Sequence, residues 1–250
     1  MAGHSKWANI KRQKARVDAK KGKTFTQLSR AIIVAARQGI PDPAGNFQLR
    51  TAIEKAKAAG IPNENIERAI AKGAGTYNDG EANYEEIRYE GYGPGGVAIL
   101  IEALTDNRNR TAADLRSAFT KNGGNLGETG CVSWMFRHKG IVTLTGDIEE
   151  ETLLEASLVG EAESYRVRED DDGVEVLTTV ENLEHLNQTL QEAGFVVEDA
   201  ELRWLPETAM TLEEDSQIQA VLKLIDSLET LDDVQGVTSN LAIAPALTRV

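Results

Sequence analysis

Hydrophobic spacing changes once along this chain, and the change divides it in two. From Thr24, residues Phe25, Leu28, Ile32 and Ala35 recur at helical intervals until Gly39 and Pro41 stop them. A second helix is predicted over Asn46 to Ala59, with Phe47, Leu49, Ala52, Ile53 and Ala56 as its apolar stripe and Gly60 as its end. The third runs from Glu64 to Lys72, with Asn63 as N-cap after Pro62 and with Ile66, Ala69 and Ile70 turned inward. Helices this short do not persist alone, so the three are expected to fold together as a small bundle. Residues 73–83, GAGTYNDGEAN, read as a Gly-rich hinge.

Beyond the hinge the spacing is that of strands. Tyr84 to Tyr92 and Gly96 to Leu104 flank a GPGG turn, predicting an antiparallel pair. A helix with Thr111 and Asp114 as its capping pattern then buries Leu115, Ala118 and Phe119 and ends at Gly123 and Gly124; Cys131, Val132, Trp134 and Phe136 suggest another strand. From Lys139 to Leu205 the order is βαββαβ, the ferredoxin-like arrangement, with an acidic turn at 170–173. A helix from Leu212 to Leu228, with Ile218, Val221, Leu222 and Ile225 inward, and a strand from Val234 to Leu241 close the chain. The elements before Lys139 make an incomplete layer that this last helix and strand would complete. The expected fold class is therefore α+β and multidomain: an N-terminal three-helix bundle followed by two α/β-layer domains, at least one of them ferredoxin-like. The expected boundaries are 1–75, a discontinuous middle domain of 80–138 plus 207–250, and an inserted domain of 139–206.

Charge follows the same division. The chain carries a formal net charge of -13, yet residues 1–75 hold 15 Lys and Arg against 5 acids and residues 76–250 hold 12 against 35. The densest stretch is Lys6 to Lys23, where Lys6, Lys11, Arg12, Lys14, Arg16, Lys20, Lys21 and Lys23 face one acid, Asp18. A basic cluster set against an acidic body points to a polyanion partner, nucleic acid above all. As a helix the stretch has a narrow apolar sector of Trp7, Ile10 and Val17 that also takes in Lys14, too narrow for a membrane-surface helix. No apolar run nears the roughly 20 residues of a membrane span, and one cysteine, Cys131, makes no internal disulfide framework. A cytoplasmic location without membrane partners is expected.

A second candidate anion site lies at Arg108, Arg110 and Thr111, where the arginines just precede a predicted helix N-terminus. The alternative is that Asn107 and Asn109 shape the turn while the arginines pair with local acids. Catalytic residues are absent from the reading. His4, His138 and His185 show no metal-ligand spacing, the acid runs at 149–151 and 170–172 read as solvated charge, and GYGPGG lacks the Lys and Ser/Thr of a phosphate loop. A non-enzymatic binding protein without metal or cofactor is expected.

Three stretches, MAGHSKWANIKRQK, EGYGPGGVAILIEALTDN and NRNRTAADLRSAFTKNGGNLGETGCVSWMF, closely resemble the YebC/PmpR family. That resemblance implies three domains, a cytoplasmic location and no known enzymatic activity, and it extends the binding stretch back to Gly3, His4 and Ser5. Family members are described as DNA-binding transcriptional regulators. Others, including a related mitochondrial translational activator of a cytochrome oxidase subunit, act in translation, and bacterial relatives are implicated in relieving ribosomes stalled at proline runs. The residues leave two nucleic-acid readings open, a DNA-binding transcriptional regulator and a ribosome- or ribosomal-RNA-associated translation factor. A protein-binding scaffold is the third.

Overall fold

The computed structural model describes residues 24–76, 84–168 and 173–242. They fall into two compact units, one drawn from Met1–Arg88, Ile101–Ala118 and Ile225–Val237, the other from Tyr89–Leu100, Phe119–Leu224 and Thr238–Val250. The fold is α+β, as the hydrophobic spacing predicts.

In the first unit, helix α1 (24–38) precedes α2 (Phe47–Ala58) and α3 (Asn63–Gly73). Their shared core is built from Ile32, Ile33, Ala35 and Ala36 of α1 with Leu49, Ile53, Ala56, Ile61, Ile66 and Ala69. Two small residues let the helices close up. A Cβ on Gly73 would lie 2.4 Å from the Ile33 carbonyl oxygen and 2.7 Å from the Ala36 Cβ, so only glycine fits there. Asn46 ties the turn: its Oδ1 accepts from the Leu49 N–H at 3.0 Å as N-cap of α2. Its Nδ2 donates to the Ala35 and Ile40 carbonyls at the end of α1. At α3 the predicted cap moves one place. Pro62 is the N-cap residue and Asn63 opens the helix, because the Pro62 carbonyl already accepts from Asn65 and Ile66.

Helix α1 is buried continuously from Ile32 to Ala36, more than one amphipathic stripe requires. A second, polar face explains it, since Gln27, Arg30, Arg37 and Gln38 recur on another side of the same helix. Gln27 Nε2 donates to the Val234 carbonyl at 2.7 Å, Arg37 to the Tyr84 carbonyl at 2.7 Å, and Gln38 to Glu86 at 2.7 Å. Apolar periodicity alone finds only the first face.

Strands β1 (Glu85–Tyr92), β2 (Ala98–Thr105), β3 (Asn125–Leu126) and β9 (Val234–Ser239) form a four-stranded sheet in the order β3-β1-β2-β9. Strands β1, β2 and β9 each have residues in both units. The turn between β1 and β2 is a short 3-10 segment, Pro94–Gly96, in which Gly95 and Gly96 have φ of 70° and 82°. A Cβ on Gly95 would also meet Leu212 Cδ2 at 2.6 Å, so conformation and space both call for glycine.

Within the second unit, β4 (Phe136–Thr145), α5 (Glu150–Val159), β5 (Ser164–Val167), β6 (Val174–Thr178), α6 (Leu183–Glu192) and β7 (Val196–Pro206) follow the predicted βαββαβ order. Their sheet runs β5-β6-β4-β7, and every neighbouring pair is antiparallel. The first and third strands of the motif lie side by side at its centre, which is the ferredoxin-like arrangement. Val142, Val176 and Ala200 share one face of the sheet, and Leu153, Leu186 and Leu190 on the helices are buried with them. The other face carries a charged ladder in which Glu175 accepts from Arg166 Nε at 2.7 Å and from Arg203 Nη1 at 3.0 Å. Burial pushes Glu175 up, but the two guanidinium groups outweigh it and hold the carboxyl below its ordinary range.

A short parallel pair, β8 (Met210–Thr211) with β10 (Leu241–Ala242), and helix α7 (Asp215–Glu229) complete the elements. Ile218 and Val221 are buried as predicted, but Leu222 is exposed and Leu224 and Leu228 take the inner positions. Ile225 is half-buried, and the inner row runs 218, 221, 224 and 228. Two further expectations are corrected. Cys131 to Met135 is not a strand, and helix α4 (Arg108–Lys121) begins three residues before Thr111.

Candidate nucleic-acid interface

The predicted binding residues His4, Ser5, Lys6, Trp7, Lys11, Arg12, Lys14, Arg16, Lys20, Lys21 and Lys23 lie outside the described residues, immediately before α1. What the structure does describe is how α1 is held. Arg30 Nη1 lies 3.0 Å from Asp233 Oδ1 and donates to the Asp232 carbonyl at 2.6 Å. Its guanidinium also stands 5.4 Å from the centre of the Tyr84 ring, a cation–π distance.

Asp233 is the centre of a polar cluster that distance in sequence conceals. It is buried, and its carboxylate also receives Arg110 Nη2 at 2.8 Å and the Thr111 hydroxyl at 2.8 Å. Thr111 and Thr105 are buried beside it, with their hydroxyls 2.8 Å apart. Arg110 reaches Asp106 as well, at 2.8 Å. Burial pushes Asp233 up, and the hydrogen bonds from Arg110 and Thr111 with the two guanidinium charges outweigh it, so the carboxyl sits below its ordinary value. Arg110, held by the same bonds, is shifted upward.

This cluster accounts for where α4 starts. Asn107 Oδ1 accepts from the Arg110 N–H at 3.1 Å, doing the work of the N-cap. Thr111, predicted as the cap, is drawn inside by the carboxylate. The second candidate site therefore stands in the first turn of α4, with Arg110 on Asp233 and Asp106, Arg108 Nη2 on Glu85 at 2.7 Å, and Thr111 buried. Arg30 and Asp233 were not among the residues the sequence singled out. Arg30's one sequence signal is the recurrence of Gln27, Arg30, Arg37 and Gln38 on a polar side of α1.

A second buried carboxylate, Glu90 on β1, shapes the loop that runs from Gly127 to Met135. Oε1 accepts from the Gly130 N–H at 2.8 Å, and Oε2 from the Val132 and Ser133 N–H groups at 2.7 and 2.8 Å. These main-chain donors would otherwise serve a strand ladder, so the predicted strand at Cys131 gives way to a 3-10 turn, Ser133–Met135. Burial pushes Glu90 up and the three N–H groups more than reverse it, leaving its carboxyl below the ordinary 4.5. Cys131 is half-buried, and burial followed by the nearby Glu90 charge raises its thiol, which suits a packing residue and not a nucleophile. His138 stacks on Trp204 with ring centres 4.6 Å apart, and His185 Nε2 lies 3.2 Å from the Val159 carbonyl oxygen, so each has a structural partner.

Both carboxylates bind fewer protons folded than unfolded, so stability rises with pH where they titrate. Their contribution is complete above the ordinary values of 3.8 and 4.5 and is lost as pH falls through the lower folded values. Urea unfolding at a series of pH values should show a plateau at neutral pH and a decline below about pH 4.5. Glu90→Gln should cost about 1–3 kcal/mol at pH 7, because an amide NH₂ then confronts main-chain donors. It should also flatten the acid decline; an unaltered pH profile would contradict the role given to Glu90.

Known proteins extend this picture to the whole chain. The family model described as TACO1/YebC protein N-terminal domain matches residues 5–76, and that described as TACO1/YebC second and third domain matches 84–241. A probable transcriptional regulatory protein of Picosynechococcus sp. is 85% identical over 246 residues, 98% of each chain. Another so named, from Gloeothece citriformis, is 72% identical over 99% of this chain and 98% of its own. Among solved structures, a conserved hypothetical protein of Aquifex aeolicus superposes with a TM-score of 0.82 at 45% identity, over 94% of this chain and 96% of that one.

Proposed function

The chain belongs to the TACO1/YebC family, and from that premise we propose that it is a non-enzymatic, nucleic-acid-binding regulator of gene expression. It acts on DNA as a cytoplasmic transcriptional regulator and grips the phosphate backbone with the basic residues of Lys6 to Lys23. One observation carries the reading: eight basic residues against one acid, in a chain of net charge -13. Backbone charge is the dominant source of nucleic-acid affinity, and the acidic remainder confines contact to the N-terminal end. Relatives named as transcriptional regulatory proteins over nearly their whole length support regulation as the role. No helix among the described residues is long and apolar enough to cross a membrane.

The division into 1–75, 80–138 plus 207–250, and 139–206 belongs to the same proposal. It gives the basic module a separate body from the ferredoxin-like one. The sheet β5-β6-β4-β7, which draws all its strands from within Phe136–Pro206, supports the inserted domain.

A ribosomal-RNA target is the second reading, favoured by the form of the basic cluster. A stretch that reads charge without a base-reading frame suits structured RNA as well as a duplex. Crosslinking in living cells, followed by sequencing of the attached nucleic acid, separates the two. Promoter DNA is the expected partner; ribosomal RNA would move the function to translation, and recovery of neither would overturn both.

A further inference from the structure

Trp134 is 66% exposed, an unusual position for the largest apolar side chain. Nothing about the loop that carries it is loose. Glu90, itself only 3% exposed, fixes the main chain on both sides of Cys131 through Gly130, Val132 and Ser133. The Tyr92 hydroxyl donates to the Cys131 carbonyl at 2.9 Å, and the Trp134 indole N–H donates to the same oxygen at 3.2 Å. The indole is thus oriented through its one polar atom, and its N–H is already engaged. What remains to offer a ligand is the face of the ring.

Burying a carboxylate is costly unless it is hydrogen-bonded, and here three main-chain N–H groups satisfy Glu90 while fixing the loop. Here the arrangement pre-organises a single aromatic surface. No second large apolar side chain is exposed in the loop: Val132 is buried and Met135 half-buried. Protein–protein anchors sit within a broader patch that excludes water around them. An isolated, rigid ring with no free hydrogen-bonding group is instead what base stacking uses, because every base has a π-face. Arg137, three residues on, is exposed and paired with Glu207 at 2.7 Å, and a surface pair of that kind exchanges readily for a phosphate.

We propose that Trp134 is a stacking platform for one unpaired nucleobase, presented by the loop that Glu90 pins. The inference rests on the nucleic-acid reading above and adds a second, uncharged contact to it. A single-stranded segment is the ligand class, since a paired base shows no free face.

Titration of single-stranded RNA and DNA oligonucleotides carrying one 2-aminopurine tests it, read by affinity and by 2-aminopurine fluorescence. The wild-type chain should quench the fluorophore. Trp134→Ala should lower single-strand affinity about 10- to 100-fold, the effect of one base–aromatic stack, and abolish the quenching. Trp134→Phe should keep most of both, which separates stacking from a general defect. The alanine variant should bind duplex like the wild type. If Trp134→Ala binds and quenches single strands unchanged, the platform is overturned while the nucleic-acid reading stands. Loss of a crosslinked protein by that variant, with strand binding intact, would overturn it too. If the wild-type chain binds no nucleic acid of any kind, the proposed function fails and this inference with it.

Discussion

Replacing Asp233 by Ala is expected to lower the free energy of unfolding by about 3–5 kcal/mol, the cost of removing one member of a buried ion pair. Four groups lose one acceptor at once: the Arg30 and Arg110 guanidiniums and the Thr105 and Thr111 hydroxyls. They do not suffer equally. The Arg110 side chain is 46% exposed and can rehydrate, so its share is small, whereas Arg30 is 13% exposed and keeps a cation with little water. Most of the loss therefore comes through Arg30. The converse change, Arg30→Ala, should cost less, because Asp233 retains Arg110 and Thr111 and stays satisfied. Urea unfolding of both variants at pH 7 measures this order. A loss below about 1 kcal/mol for Asp233→Ala would show that the cluster is a surface pair in its energetics.

The same cluster shows where sequence reasoning stops. Helices and strands were legible wherever a local pattern and the buried pattern coincide, as at Leu49, Ile53 and Ala56 or along β4, α5, β5, β6, α6 and β7. Asn46 was readable as a helix boundary because its cap is a contact three residues away. Asp233 and Arg30 stand 203 residues apart, and in a chain with 40 acids one more aspartate looks like solvated surface. Glu90 is hidden likewise among the acids of β1, and only its three long-range N–H bonds single it out.

Where the sequence misled, a polar group had overridden local apolar spacing. Cys131, Val132, Trp134 and Phe136 alternate as a strand does, but Glu90 takes the N–H groups that a strand would have paired. Thr111 has the residue type of a cap, yet Asn107 caps α4 and frees Thr111 to meet Asp233. The replacement of Leu222 by Leu224 and Leu228 in the inner row of α7 has a simpler cause. Val221, Leu222, Leu224 and Ile225 crowd apolar residues around Lys223 and offer two helical registers, of which burial selects one.

The second large effect concerns binding. Replacing Lys11, Arg12, Lys14 and Arg16 together by Ala removes four positive charges from the densest basic stretch. Each phosphate neutralised releases counterion, which contributes about 0.9 to the slope of log affinity against log salt on a duplex. Four contacts thus carry a slope of about 3 to 4, enough for roughly a hundredfold change in affinity between 50 and 200 mM salt. The loss should be uniform across sequences, since phosphate contacts position a protein without reading bases. Stability should change little, because the Arg30 and Asp233 cluster that holds α1 is untouched.

That salt slope is also the most direct test of the central claim. Affinity for a duplex is measured from about 50 to 200 mM salt for the wild-type chain and the fourfold alanine variant. A steep wild-type slope, shallower by about 3 to 4 in the variant, is the predicted result. Equal slopes in the two proteins would contradict it and remove the basic N-terminal stretch from the binding surface.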